Sequence, residues 1–99
     1  MRVIAKRPLR EHWEKSGRAD SKEPLEAWHA EAEAALWKNF GDIKRTYASA
    51  SGVADNRVVF NIGGNKYRLI VKVNYFAGIV FVRFVGTHAE YDQIDARTI

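Results

Sequence analysis

The segment Gly86-Thr87-His88-Ala89-Glu90-Tyr91-Asp92 sets a histidine close to a tyrosine, just after a strand-like run that contains Arg83. Histidine, with a reference pKa of about 6.5, exchanges a proton near neutral pH. Tyrosine stacks on a base or donates its hydroxyl. Arg68 and Lys66 lie in the preceding strand-like run. Arginine grips phosphate oxygens bidentately, whereas lysine acts as a point charge. Cleaving RNA without a metal asks for removal of a 2′-hydroxyl proton, protonation of the departing 5′ oxygen, and positive charge around the crowded phosphate. His88, Arg83, Arg68 and Tyr91 are therefore the candidate catalytic residues. Asn61, Lys66, Lys72 and Arg57 are the candidate RNA-binding residues of the same surface.

Each of these residues also has an ordinary structural use. Thr87 and Glu90 have the spacing of a T-x-x-E capping box, so the segment can simply begin a helix. Capping by these two leaves His88 free for chemistry. Alternating charges on a strand usually mark its solvated face. His12 and His29 fall within helical patterns and read as packing or surface residues. Gly63-Gly64 joins two strands, whereas a phosphate-binding glycine loop runs into a helix. No metal or other cofactor is expected, because no set of histidines and carboxylates has familiar ligand spacing.

The strands must turn these side chains to one surface. Residues 57–62, 66–75 and 79–85 are rich in Val, Ile, Phe and Tyr and are separated by Gly63-Gly64 and Ala77-Gly78, which reads as a β-meander. With two-residue hairpins, Phe60 pairs with Tyr67, Val73 with Val82, and Lys72 with Arg83. One face then carries Val58, Phe60, Ile62, Tyr67, Leu69, Val71, Val73, Val80, Val82 and Phe84. The other carries Arg57, Asn61, Lys66, Arg68, Lys72 and Arg83.

Upstream, residues 2–5 read as a short strand, and Pro8 opens a helical turn with Leu9 and Trp13 on one side, closed by Gly17. A longer helix follows, capped by Asp20 or Ser21, with Leu25, Trp28, Ala32, Ala35 and Leu36 as its apolar stripe and an end near Lys38. Residues 39–56 read as a loop with one helical turn at 42–47. The expectation is an α+β fold of order β-α-α-β-β-β. Its sheet is antiparallel, two N-terminal helices cover the Val and Phe face, and a short helix follows Thr87. Trp13, Trp28 and Trp37 are expected to pack the helices onto the sheet.

With 99 residues, 46% of them hydrophobic, the chain can build a core, and residues 1–99 are expected to form one domain. The absence of cysteine excludes disulfides, thiolate zinc sites and cysteine nucleophiles, and makes the cytoplasm the default location. The apolar patch before Lys6 is far too short for a signal peptide or membrane segment. Sixteen Lys and Arg against twelve Asp and Glu give +4, which favours an anionic partner. Glu23, Glu26, Glu31 and Glu33 crowd the long helix, while Arg57, Lys66, Arg68, Lys72 and Arg83 dominate the strands.

The run DNRVVFNIGGNKYRLIVKVNY at 55–75 and VFVRFVGTHAEYDQID at 80–95 resembles the HigB family of bacterial toxins, as do REHWEK near the start and PLEAW in the helical half. The resemblance covers nearly the whole chain. That family is similar in fold to the RelE toxins, whose element order is the one read above. The resemblance implies a ribosome-dependent mRNA endonuclease that halts translation. It also implies a cognate antitoxin, usually a helix-turn-helix, HigA-like protein, bound in a hetero-oligomer. By that resemblance Asn61, Lys66, Arg68, Arg83, His88 and Tyr91 fall in the shared motifs. Two other readings use the same surface: a non-enzymatic RNA-binding module that neutralises phosphates, and a protein-interaction domain that docks an acidic partner.

Overall fold

The computed structural model describes residues 1–99. The chain runs β1 (Arg2–Ile4), α1 (Arg7–Trp13), a 3-10 turn (Ala19–Ser21), α2 (Lys22–Ala34), α3 (Phe40–Thr46), β2 (Ser51–Val53), β3 (Arg57–Ile62), β4 (Tyr67–Asn74), β5 (Ile79–Thr87) and α4 (His88–Tyr91). The fold is α+β, with a five-stranded sheet ordered β1-β5-β4-β3-β2. The helical turn expected at 42–47 is α3, and the edge strand β2 exceeds the expected order. The sheet is also mixed, because β1 lies parallel to β5. A parallel neighbour needs a long crossover, which the intervening helices supply.

The amino group of Met1 donates to the carbonyls of Ala32 and Glu33, at 3.0 and 3.1 Å, and to that of Ala35. A positive charge thus closes the carbonyl end of α2, where the helix dipole is negative. Helix α2 buries Leu25, Trp28 and Ala32, as its stripe predicts, but it stops at Ala34. Ala35 is extended, and Leu36 is 84% exposed instead of completing the stripe. That break turns Trp37 inward onto Phe60, with ring centroids 6.3 Å apart. Burying an indole outweighs burying a leucine side chain. Trp28 and Tyr47 meet the same phenyl ring edge-on, at 5.5 and 5.1 Å. Phe60 is therefore the hub of the helix-sheet interface.

Neither residue expected to cap α2 does so by its side chain. Ser21 Oγ donates to the Arg18 carbonyl, and Asp20 is taken by the β3–β4 hairpin. In the 39–56 stretch the Asn39 side chain caps α3 by accepting from the Asp42 amide at 3.0 Å.

The hairpins are longer than two residues. Ile62 pairs with Tyr67, Phe60 with Leu69, Val73 with Val80, and Lys72 with Phe81, so each connection spans four residues, 63–66 and 75–78. The left-handed run at Gly63, Gly64 and Asn65 accounts for the longer first turn, and only its glycines adopt that conformation without strain. The shift is even, so facing survives along most of each strand. A bulge between Ile70 and Val71 ends the agreement: Val71 pairs with Val82 and Ile70 with Phe84, leaving Arg83 as the extra residue. Beyond it Val85 packs against the core, while Phe84 moves to the other face of the sheet, across from the buried Ile70.

Candidate active site

Helix α4 follows directly from β5, and the link is built from backbone upward. Thr87 Oγ1 accepts from the Glu90 amide at 3.2 Å, and Glu90 Oε1 accepts from the Thr87 amide at 2.9 Å. The expected capping box is therefore present. Gly86, just before it, pairs with Arg68 and is buried. A Cβ there would stand 2.7 Å from Phe84 Cζ and 2.8 Å from Glu90 Oε1, so only glycine lets α4 fold this closely onto the strand.

The box turns His88 and Tyr91 toward β4. The Arg68 guanidinium lies 5.8 Å from the centre of the Tyr91 ring, in cation–π range, and its Nη1 donates to the Asn65 carbonyl at 3.0 Å. The His88 ring lies 6.4 Å from the same tyrosine, edge to face. His88 Nδ1 is 3.2 Å from Asp92 Oδ2. An ionised Asp92 accepts from Nδ1, and Nε2 stands outside that bond. His88 is exposed and Tyr91 half-buried. Asn61 is half-buried opposite Arg68 in the β3–β4 ladder.

The remaining predicted site residues are engaged elsewhere. Arg83 is exposed on the bulge, and its Nε donates to the backbone oxygen of Ile99 at 3.3 Å. Arg57 is buried; its Nε donates to the same oxygen at 2.8 Å. Arg57 Nη1 and Lys72 Nζ, cross-strand neighbours, both reach Asp55 Oδ2, at 3.1 and 2.9 Å. That pair sits farther along β4 than Arg68, by about 13 Å at the rise of a strand. Lys66 Nζ donates to Asp20 Oδ2 and Tyr67 Oη to Asp20 Oδ1, each at 2.5 Å. The lysine's bond, then the tyrosine's, holds the Asp20 carboxyl below its ordinary pKa, and Asp20 raises that of Lys66. His88, Tyr91 and Arg68 thus converge, with Asn61 beside them, whereas Arg83 shares the Ile99 oxygen with Arg57 and so stands by the Arg57–Lys72 pair. Arg57 and Lys72 form a separate group.

Spacing does not reveal Arg18. Its Nη2 donates to Glu90 Oε2 at 3.1 Å, with Nη1 at 2.9 Å from Oε1 as an ion-pair contact. Glu90, legible only as a cap, also takes this cation, and the two bonds hold its carboxyl below the usual range, the Thr87 amide most strongly. The turn before α2 therefore reaches α4 through Arg18 and the β3–β4 hairpin through Asp20. Both legs end on residues that flank the His88–Tyr91–Arg68 cluster.

Residues 21–94 match the family described as HigB_toxin, RelE-like toxic component of a toxin-antitoxin system. The chain belongs to the HigB toxin family. The matched span takes in every predicted site residue of this HigB-family toxin, together with its capping box, and leaves β1 and α1 outside. A search among curated proteins finds no match. No helix of this family member is long and apolar enough to cross a membrane.

Proposed function

We propose that this HigB-family toxin is a ribosome-dependent mRNA endonuclease. The observation that carries the reading is the Arg68 guanidinium and the His88 imidazole meeting the same Tyr91 ring, at 5.8 and 6.4 Å. A proton-exchanging nitrogen, a phosphate-binding fork and an aromatic platform then act on one nucleotide step. The substrate's 2′-oxygen attacks the adjacent phosphorus as its proton leaves. The bond to the 5′ oxygen breaks as that oxygen gains a proton, giving a 2′,3′-cyclic phosphate and a 5′-hydroxyl. His88 Nε2 performs one of these transfers, with Asp92 fixing its ring. Arg68 and Arg83 stabilise the charge that grows on the phosphate, and Tyr91 stacks on a base and orients Arg68. Asn61, Lys66 and Lys72 track the strand, while Arg57 braces their face through Asp55. The cleavage is metal-independent.

The partner that silences it is a helix-turn-helix, HigA-like antitoxin in a cytoplasmic hetero-oligomer, and mRNA on the ribosome is the substrate. His88→Ala and Arg83→Ala, both at exposed positions, are expected to reduce growth inhibition on induced expression while leaving circular dichroism unchanged. Full growth arrest by both variants would sink the assignment.

A further inference from the structure

A cavity of about 700 Å³ opens between α1, the later half of β5 and α4. Strand β1 pairs with β5 only as far as Phe81, so the β5 edge beyond is covered by no strand. The cavity's size is that of small-molecule sites, roughly 300–1,000 Å³. Pro8, Phe84 and Ile94 give it apolar walls, Lys15 and Arg83 give it cations, and its two carboxylates, Glu11 and Glu90, are each paired with an arginine, Arg7 and Arg18.

His12 also lines it and is 1% exposed. Ser21 Oγ has one hydrogen and donates it to the Arg18 carbonyl at 2.7 Å. The serine oxygen therefore accepts from His12 Nδ1, 3.0 Å away. His12 is kept neutral by burial, then by the nearby charges of Arg18 and Lys15, which lower its pKa. Its Nε2 is thus a bare lone pair, buried and without a partner. Such atoms are costly and call for a donor.

From the cavity and this orphaned acceptor we infer that the HigB-family toxin has a base-binding subsite, in which His12 Nε2 accepts from the exocyclic amine of a nucleobase. Phe84 offers the aromatic wall for the base, and Arg83 and Lys15 take its phosphate. Adenine, cytosine and guanine carry such an amine. Uracil carries none, and its N–H is flanked by carbonyl oxygens that face the lone pair unfavourably. Because Nε2 is covered, the amine reaches it only as a lining side chain swings aside. Arg83 belongs to both sites, so the inference rests on the RNA-cleaving reading and adds to it which bases are accepted beside the cut.

The test is titration of isotopically labelled protein, without ribosomes, with cytidine 5′-monophosphate, uridine 5′-monophosphate and inorganic phosphate. The cytidine compound is expected to bind roughly tenfold more tightly than the uridine one, the effect of one hydrogen bond to a buried acceptor, and to shift the His12 Nε2 resonance. His12→Phe should erase the preference. If that variant fails to fold, Phe84→Ser should weaken both nucleotides, and the comparison on the parent still decides. A trinucleotide containing one cytidine, set against all-uridine, separates the sources: tighter binding than the mononucleotide assigns an RNA strand, equal binding a free nucleotide. Equal affinity for both monophosphates with Nε2 unmoved overturns the inference, as does phosphate binding as tightly as either, since the cavity then holds an anion only. Nucleotide binding with this preference, beside intact mRNA in a translating extract, would defeat the cleavage reading while leaving the subsite standing.

Discussion

The guanidinium of Arg18 and the carboxylate of Glu90, 72 positions apart in sequence, meet at 2.9 and 3.1 Å. The same carboxylate closes the capping box at Thr87. Helix α4 is a single turn of four residues, too short to hold itself, so these two attachments set where His88 and Tyr91 stand.

Arg18→Met should therefore cost little stability and much toxicity. The pair is partly solvated, and such pairs contribute about 1 kcal/mol or less. Growth inhibition is expected to fall clearly, while the urea midpoint moves only slightly. Arg18→Lys keeps the charge but loses the planar fork, and should recover only part of the effect. A methionine variant as toxic as the parent would show that α4 needs no such tie.

Asp20 links acid stability to the hairpin that carries Lys66. Its folded pKa lies below the ordinary 3.8, chiefly through the Lys66 hydrogen bond. A depressed carboxyl contributes stability above its unfolded pKa and loses it as pH falls through the folded value. Asp20→Asn is accordingly expected to destabilise at neutral pH and to match the parent once pH drops below the folded pKa. Thermal melts of both proteins across that range check it; a gap that persists in acid would mean that the carboxylate's charge is not the cause.

Trp28 is 1% exposed against Phe60, and its truncation empties the centre of the helix-sheet interface. Trp28→Ala should destabilise by about 3–5 kcal/mol, read as the shift of a chemical-denaturation midpoint. An unchanged midpoint would contradict the hub assigned to Phe60.

Strands β1, β3, β4 and β5, α1, the buried face of α2 and the capping box were legible because each is written in neighbouring residues: alternation at 57–62, Leu25 and Trp28 on one turn, Thr87 with Glu90. The same holds for His88, Tyr91 and Arg68, which strand and helix periodicity bring to one place. What was not legible depends on competition between distant groups. Trp37 displaces Leu36 from the core only because Phe60 is there to receive it. The bulge at Arg83 exchanges Phe84 for Val85 and changes the facing that strict alternation predicts. Strand β2, written SGV, acquires its conformation from β3 alone. Arg18 and Asp20 join the site through tertiary bonds that no local spacing announces, and Arg57 is drawn inward by Asp55 and Ile99, although its type and place suggest an open cation.

The chemistry is decided by the ends of cut RNA. Purified protein added to a translating extract should cleave mRNA within ribosome-bound codons and leave a 2′,3′-cyclic phosphate and a 5′-hydroxyl. His88→Ala should still bind ribosomes yet cut 10² to 10⁴-fold more slowly, about the loss that follows removal of a positioned acid or base. Intact mRNA with the parent protein demonstrably on the ribosome, or 5′-phosphate ends where it does cut, would contradict cleavage by 2′-oxygen attack at His88, Tyr91 and Arg68.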